Sequence, residues 1–248
     1  LIGSLSPELR FNDGMRDAVR FVYAPKTITN AASPAPVSSY QMANLKLVDV
    51  ILEALAHFNP ARAVAGAGSS SALLISWNDG GRPGQSSLQY EIHGSAYGGG
   101  NGNDGANATA AHLSNLHITP IEIIESEFPC RITEFGLIPD SGGRGEFRGG
   151  LAMRRRYELL QDASVVRRFD KAVHPPSGLV GGEPGRPSSF VLRAGTSDEE
   201  VVRISGRFEL RAGDCLVIET PGGGGYGDPA HRAPQAIARD RAEGYVSD

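Results

Sequence analysis

The chain has 248 residues, 40% hydrophobic and 21% charged, which fits one ordinary globular domain or two small ones and excludes a disordered tail. Its net charge of −4 leaves no basic excess to neutralise phosphates, so nucleic acid is excluded as a leading partner, and no run of ~18 apolar residues could span a bilayer. Thirty-two glycines and sixteen prolines, about a fifth of the chain against a usual ~12%, predict a loop-rich fold.

Residues 1–37 mix short apolar runs with punctuation. Val19–Tyr23 is β-branched and aromatic and reads as a strand, followed by an extended arm because Pro25, Pro34 and Pro36 break any helix. From Ser38, Leu45, Val48, Leu52 and Leu55 recur at helical spacing until Asn59-Pro60 ends the pattern, which predicts a long core helix without chemistry. After the small-residue stretch Ala63–Ala72, Leu73–Trp77 and Leu88–His93 read as a hairpin turning through Asn78–Gly84. The glycine-rich segment Tyr97–Gly105 is either a flexible connector or a binding surface.

Further on, Ile118–Ile124, Ile132–Leu137, Leu151–Leu160, Ser164–Phe169, Ser189–Leu192, Val201–Ile204 and Cys215–Glu219 are short apolar runs separated by turn residues, which predicts strands of a sandwich or barrel-like half. Arg154, Arg155 and Arg156 would alternate faces in such a strand, giving solvated charge with room for one inward salt bridge. Residues 232–243 read as a short, mostly exposed terminal helix. The expected class is therefore α+β: a mixed α/β region over 1–112 with one long helix, then a β-rich region over 113–248 ending in a short helix, together forming one compact unit.

Two cysteines, Cys130 and Cys215, are too few for a disulfide framework and read as apolar residues in a reducing cytoplasm. The chain starts at Leu1 with no basic region and apolar run of a secretory signal, and reads as a processed product, an expressed piece or part of something longer.

The densest polar cluster is Asn107, His112, Ser114, Asn115, His117 and Glu122. Imidazole, amide and carboxylate groups on loops are what proton transfer or carbonyl polarisation requires, so His112, Asn115, His117 and Glu122 are the catalytic candidates. The five-residue spacing of His112 and His117 matches no metal-ligand pattern, and no metal site is assigned. The run Pro221–Pro229 holds five glycines in six positions; it lacks the Gly-Lys-Ser/Thr ending of a phosphate loop and reads either as a site of tight backbone packing or as a substrate-binding loop formed by Gly222, Gly223, Gly224, Gly225 and Tyr226. With no Gly-x-Ser-x-Gly elbow, a serine nucleophile is unsupported.

The segments Ser114-Asn115-Leu116-His117-Ile118-Thr119-Pro120-Ile121-Glu122, Pro139–Gly150 (PDSGGRGEFRGG), Pro175–Gly182 (PPSGLVGG) and Glu219–Pro229 occur in an order and spacing that resembles the hydantoinase B/oxoprolinase family. The likeness covers nearly the whole chain, including the helix around Asp49–Leu55. It implies a subunit of an ATP-dependent enzyme that opens cyclic amides of the hydantoin, oxoproline or lactam type, or that carboxylates ketones such as acetone or acetophenone. It also implies a hydantoinase A-like partner that binds ATP and Mg and phosphorylates the substrate. A divalent metal is implied in the amino-terminal half of the B-type subunit, which would be a further partner, since this chain resembles only the carboxyl-terminal half. Ile118 stands where the family commonly has Asn before Thr-Pro, while Asn115 and Glu122 are kept. The resemblance makes the chain a split subunit, a cleaved half that stays associated, or an inactive fragment; a non-catalytic scaffold is the remaining alternative.

Overall fold

A computed structural model describes residues 8, 12–38, 40–78, 86–110 and 112–247. The expected hairpin turn falls largely on residues 79–85, which lie outside that set, but its strands β1 (Ser71–Asn78) and β2 (Ser86–His93) pair antiparallel as predicted.

Two open antiparallel sheets face each other. One has the order β2-β1-β5-β8, with β5 at Ala163–Arg168 and β8 at Gly206–Leu210. The other runs β3-β4-β9-β6-β7, with β3 at Cys130–Leu137, β4 at Met153–Leu159, β6 at Ser189–Leu192, β7 at Glu200–Val202 and β9 at Cys215–Glu219. Both sheets keep free edges among the described residues, so the β-rich part is a sandwich and not a barrel. Because β1 and β2 share a sheet with β5 and β8, that sheet crosses the boundary expected at residue 112.

Alternation explains the sandwich. In β4, Met153, Arg155, Tyr157 and Leu159 turn inward, and Tyr157 and Leu159 meet Leu73, Ile75 and Trp77 of β1 and Leu216 and Ile218 of β9 in one apolar core. The inward arginine of the Arg154–Arg156 triplet is Arg155, fully buried and paired with Glu91, while the half-exposed Arg154 reaches the buried Glu219 and the exposed Glu134. Tyr157 donates to Glu91 Oε2 at 2.6 Å, and its hydroxyl lies 3.0 Å from His93 Nε2. Burial drives His93 well below the ordinary imidazole value, and the charges of Arg167 and Arg155 add to that. Burial also pulls Arg167 down to about 9; its guanidinium lies over the Phe169 and Phe190 rings at 5.1 and 5.7 Å.

Four α-helices accompany the sheets among the described residues: α1 (Asp13–Asp17), α2 (Tyr40–Ala56), α3 (Ile121–Glu127) and α4 (Pro234–Ala242). α2 is the expected long helix, and it buries Leu45, Leu52 and Leu55. Two expectations are corrected. Ile118–Ile124 is not a strand: Pro120 presets the entry to α3, Glu122 sits in its first turn where negative charge is favoured, and only Ile124 is buried. Val19–Tyr23 forms no strand either, because no described neighbour pairs with it, and Phe21 and Tyr23 stack on one another in solvent at 6.0 Å. Strand β8 had no counterpart among the predicted elements.

Candidate functional site

Beside the sandwich, the glycine segments pack on one another backbone to backbone. Gly222–Gly225 is the middle segment of this bundle, and it is buried. Its amides donate in turn to Arg186, Gly150, Gly66 and Glu183, at 3.0, 2.9, 2.8 and 2.9 Å. The bonding direction returns to the same flanking segment after three residues, which is the period of a polyproline II chain. Gly143 and Gly99 donate back to the carbonyls of Gly223 and Gly224. Side chains have no room here: a Cβ on Gly223 would lie 1.9 Å from the Tyr97 carbonyl oxygen, and one on Gly224 would lie 2.0 Å from that of Ser177. The run expected to bind substrate is thus surrounded by the protein's own backbone. Tyr226 is 6% exposed, and its hydroxyl donates to the Pro60 carbonyl at 2.7 Å.

The bundle borders a group of ionisable side chains that includes His112. Asp49 projects from α2 and accepts from Lys171 Nζ at 2.5 Å and from the Ala67 amide at 3.3 Å. His112 Nε2 lies 3.5 Å from Asp49 Oδ1, and the His112 ring is held edge-on by Tyr97, centroids 5.2 Å apart. Lys171 is 5% exposed and adopts φ +62°, an uncommon backbone conformation for a residue other than glycine. Burial pushes the Asp49 pKa up, but the His112 ring, the Lys171 charge and hydrogen bond and the Ala67 amide outweigh it and hold the carboxyl below its ordinary value. The same Tyr97 lines an open groove of about 480 Å³ between residues 61–64 and 97–106.

Of the four predicted catalytic residues, only His112 joins this cluster. Asn115, His117 and Glu122 are exposed, and no hydrogen bond or ion pair among the described residues links them to one another or to His112. Asn107 is spent structurally, its Oδ1 accepting from the Leu151 amide at 2.9 Å and Arg148 Nη1 at 3.2 Å. Asp49 and Lys171 were missed. Asp49 lay in a helix read as core alone, and nothing local marks Lys171 as its partner. No group of three or more His, Cys, Asp or Glu side chains converges among the described residues, and Asp49 already faces an ammonium. These residues do not fit a divalent-metal centre.

The fold of this chain is shared with solved structures. The chain superposes on the crystal structure of the ATP-dependent caprolactamase of Pseudomonas jessenii with TM-score 0.83 and 27% identity, covering 98% of this chain and 45% of that one. A likeness to acetone carboxylase, TM-score 0.63 at 19% identity over 78% of this chain and 30% of that one, shows the fold alone. The family model for hydantoinase B/oxoprolinase matches residues 2–229, and the chain belongs to that family. Among curated relatives, an uncharacterized protein of Methanocaldococcus jannaschii is 36% identical over 98% of this chain, and the putative B-type subunit of a D-/L-hydantoinase from a Pseudomonas strain is 28% identical over 95%. The chain spans 42% and 40% of the length of those two relatives.

Proposed function

We propose that this chain is part of the B-type subunit of an ATP-dependent hydrolase that opens cyclic amides of the hydantoin, oxoproline or lactam type. It would work with an A-type subunit that phosphorylates the substrate and with the remainder of the B-type subunit. The observation that carries this reading is the match to caprolactamase along almost the whole chain, joined to family membership.

Ring opening of an activated amide needs a proton delivered to the departing nitrogen and water excluded from competing paths. His112 is the group in this chain suited to carry that proton. Asp49 orients its ring, Lys171 keeps Asp49 ionised, and Tyr97 fixes the ring plane between the cluster and the groove. Asn115 offers an exposed amide to a carbonyl or phosphate oxygen. The Gly222–Gly225 run holds Tyr97 and the neighbouring loops in place and touches no substrate. ATP and any divalent metal belong to the partners.

The test is ATP-coupled ring opening by the assembled complex, with hydantoin, 5-oxoproline and caprolactam as substrates. His112→Ala is expected to lower kcat at least about a hundredfold, in line with loss of one general acid–base group. Turnover within about threefold of wild type would remove His112 from the reaction, and ATP hydrolysis that requires bicarbonate would replace ring opening by carboxylation.

A further inference from the structure

The motif Pro139–Gly145 is left without a role by the ring-opening reading. It forms one wall of a cavity of about 410 Å³ whose other walls are α4 and the segment reaching Ser247. Four arginines line that cavity, Arg144, Arg148, Arg232 and Arg241, against two aspartates, Asp140 and Asp240.

Asp240 is paired with guanidinium groups, whereas Asp140 is held by a backbone amide alone. Asp240 accepts from Arg232 Nε at 3.1 Å and from Arg148 Nε at 3.4 Å, and Asp140 accepts from the Ser247 amide at 3.1 and 3.3 Å. Arg241 pairs with no carboxylate among the described residues, and Arg144 reaches only Glu183, at 3.8 Å. Guanidinium groups thus outnumber carboxylates in the lining by four to two, and Arg241 is the one without a carboxylate partner among the described residues. The backbone adds donors: Gly142 and Gly145 line the cavity, and neither amide hydrogen-bonds to another described residue, although Gly145 is buried. A buried amide with no partner is rare in folded proteins unless water or a ligand completes it.

We propose that this cavity is a binding site for a phosphate group, either inorganic phosphate or the phosphoryl end of a small metabolite. The unpaired Arg241 and the exposed, loosely paired Arg144 supply positive charge, Arg148 also lines the cavity, and Gly142 and Gly145 bring to its wall backbone amides without a described partner, the kind of donor that phosphate-binding loops use. Its size suits a phosphorylated small molecule. The site is separate from the His112 cluster and does not depend on the ring-opening reading.

Titration calorimetry on the full chain, at ionic strength matched with chloride, tests it with inorganic phosphate, phenyl phosphate and acetate as probes. Saturable binding of the phosphates but not acetate is expected. Tighter phenyl phosphate would point to a metabolite, and tighter inorganic phosphate to the free ion. Arg144→Gln and Arg241→Gln, both exposed enough to fold normally, should each weaken binding about tenfold, the loss of one charge-assisted hydrogen bond, while Arg211→Gln should not. No saturable phosphate binding, equal binding of acetate, or unchanged affinity in both variants would overturn the site.

Discussion

The Lys171 ammonium lies 2.5 Å from Asp49 Oδ2, joining residues 122 positions apart, with both side chains almost fully buried. Breaking a buried pair strands the remaining charge. Asp49→Asn is expected to destabilise the chain by about 3 kcal/mol, read by chemical denaturation. A loss below about 1 kcal/mol would mean that the pair is solvated in solution.

The same carboxyl gives a pH dependence. Because the folded pKa of Asp49 lies below its ordinary 3.8, its contribution is fully present above that value and is lost as pH falls through the folded pKa. Melting temperature should therefore drop on acidification below pH 3.8. The drop should be shallower in Asp49→Asn, and equal slopes would contradict the assignment.

Close backbone approach makes a sharp comparison between glycines. Gly223→Ala drives a methyl into the Tyr97–Gly98 backbone, which cannot yield as a flexible side chain could, and should cost about 3 kcal/mol or more. Gly136→Ala, where a Cβ meets nothing within 4 Å, should be neutral within about 0.5 kcal/mol. Similar costs at the two positions would refute the packing account.

Arg232 fastens α4 to the glycine bundle. It grips Asp104 with two bonds of 2.8 and 3.0 Å and also binds Asp240. Asp104→Asn should speed hydrogen exchange at amides of 234–242 about tenfold or more and leave β4 and β9 protected. Unchanged exchange in α4 would show that the apolar contacts of the helix suffice.

Cys130 is 1% exposed, and burial, with the charges of Glu125 and Glu91, pushes its thiol up to about 12. Native protein at about pH 8 should resist iodoacetamide at Cys130 and react there only after unfolding, while the partly exposed Cys215 is alkylated first. Peptide mass mapping reads both sites.

What the sequence determined by itself was whatever depends on neighbours a few positions away. The helical spacing of Leu45, Leu52 and Leu55 marked α2, the apolar runs at Ser189–Leu192 and Cys215–Glu219 marked β6 and β9, and the ordered glycine motifs marked the family. A short run failed where one residue set the backbone. Pro120 turned a β-like isoleucine pattern into α3, and the single alternation of Gly206–Leu210 was too brief to announce β8. Val19–Tyr23 had strand composition but gained no partner to bond with among the described residues.

Only the tertiary structure decided the site and the meaning of the glycines. Asp49 comes from a helix, His112 from a turn and Lys171 from the segment after β5, and no periodicity links them, because Coulomb attraction acts through space and leaves no local pattern. Five glycines in six positions showed that something approaches the chain closely. That the approaching groups are the carbonyls of Tyr97, Ser177 and Ser141, rather than a ligand, follows from how distant segments pack.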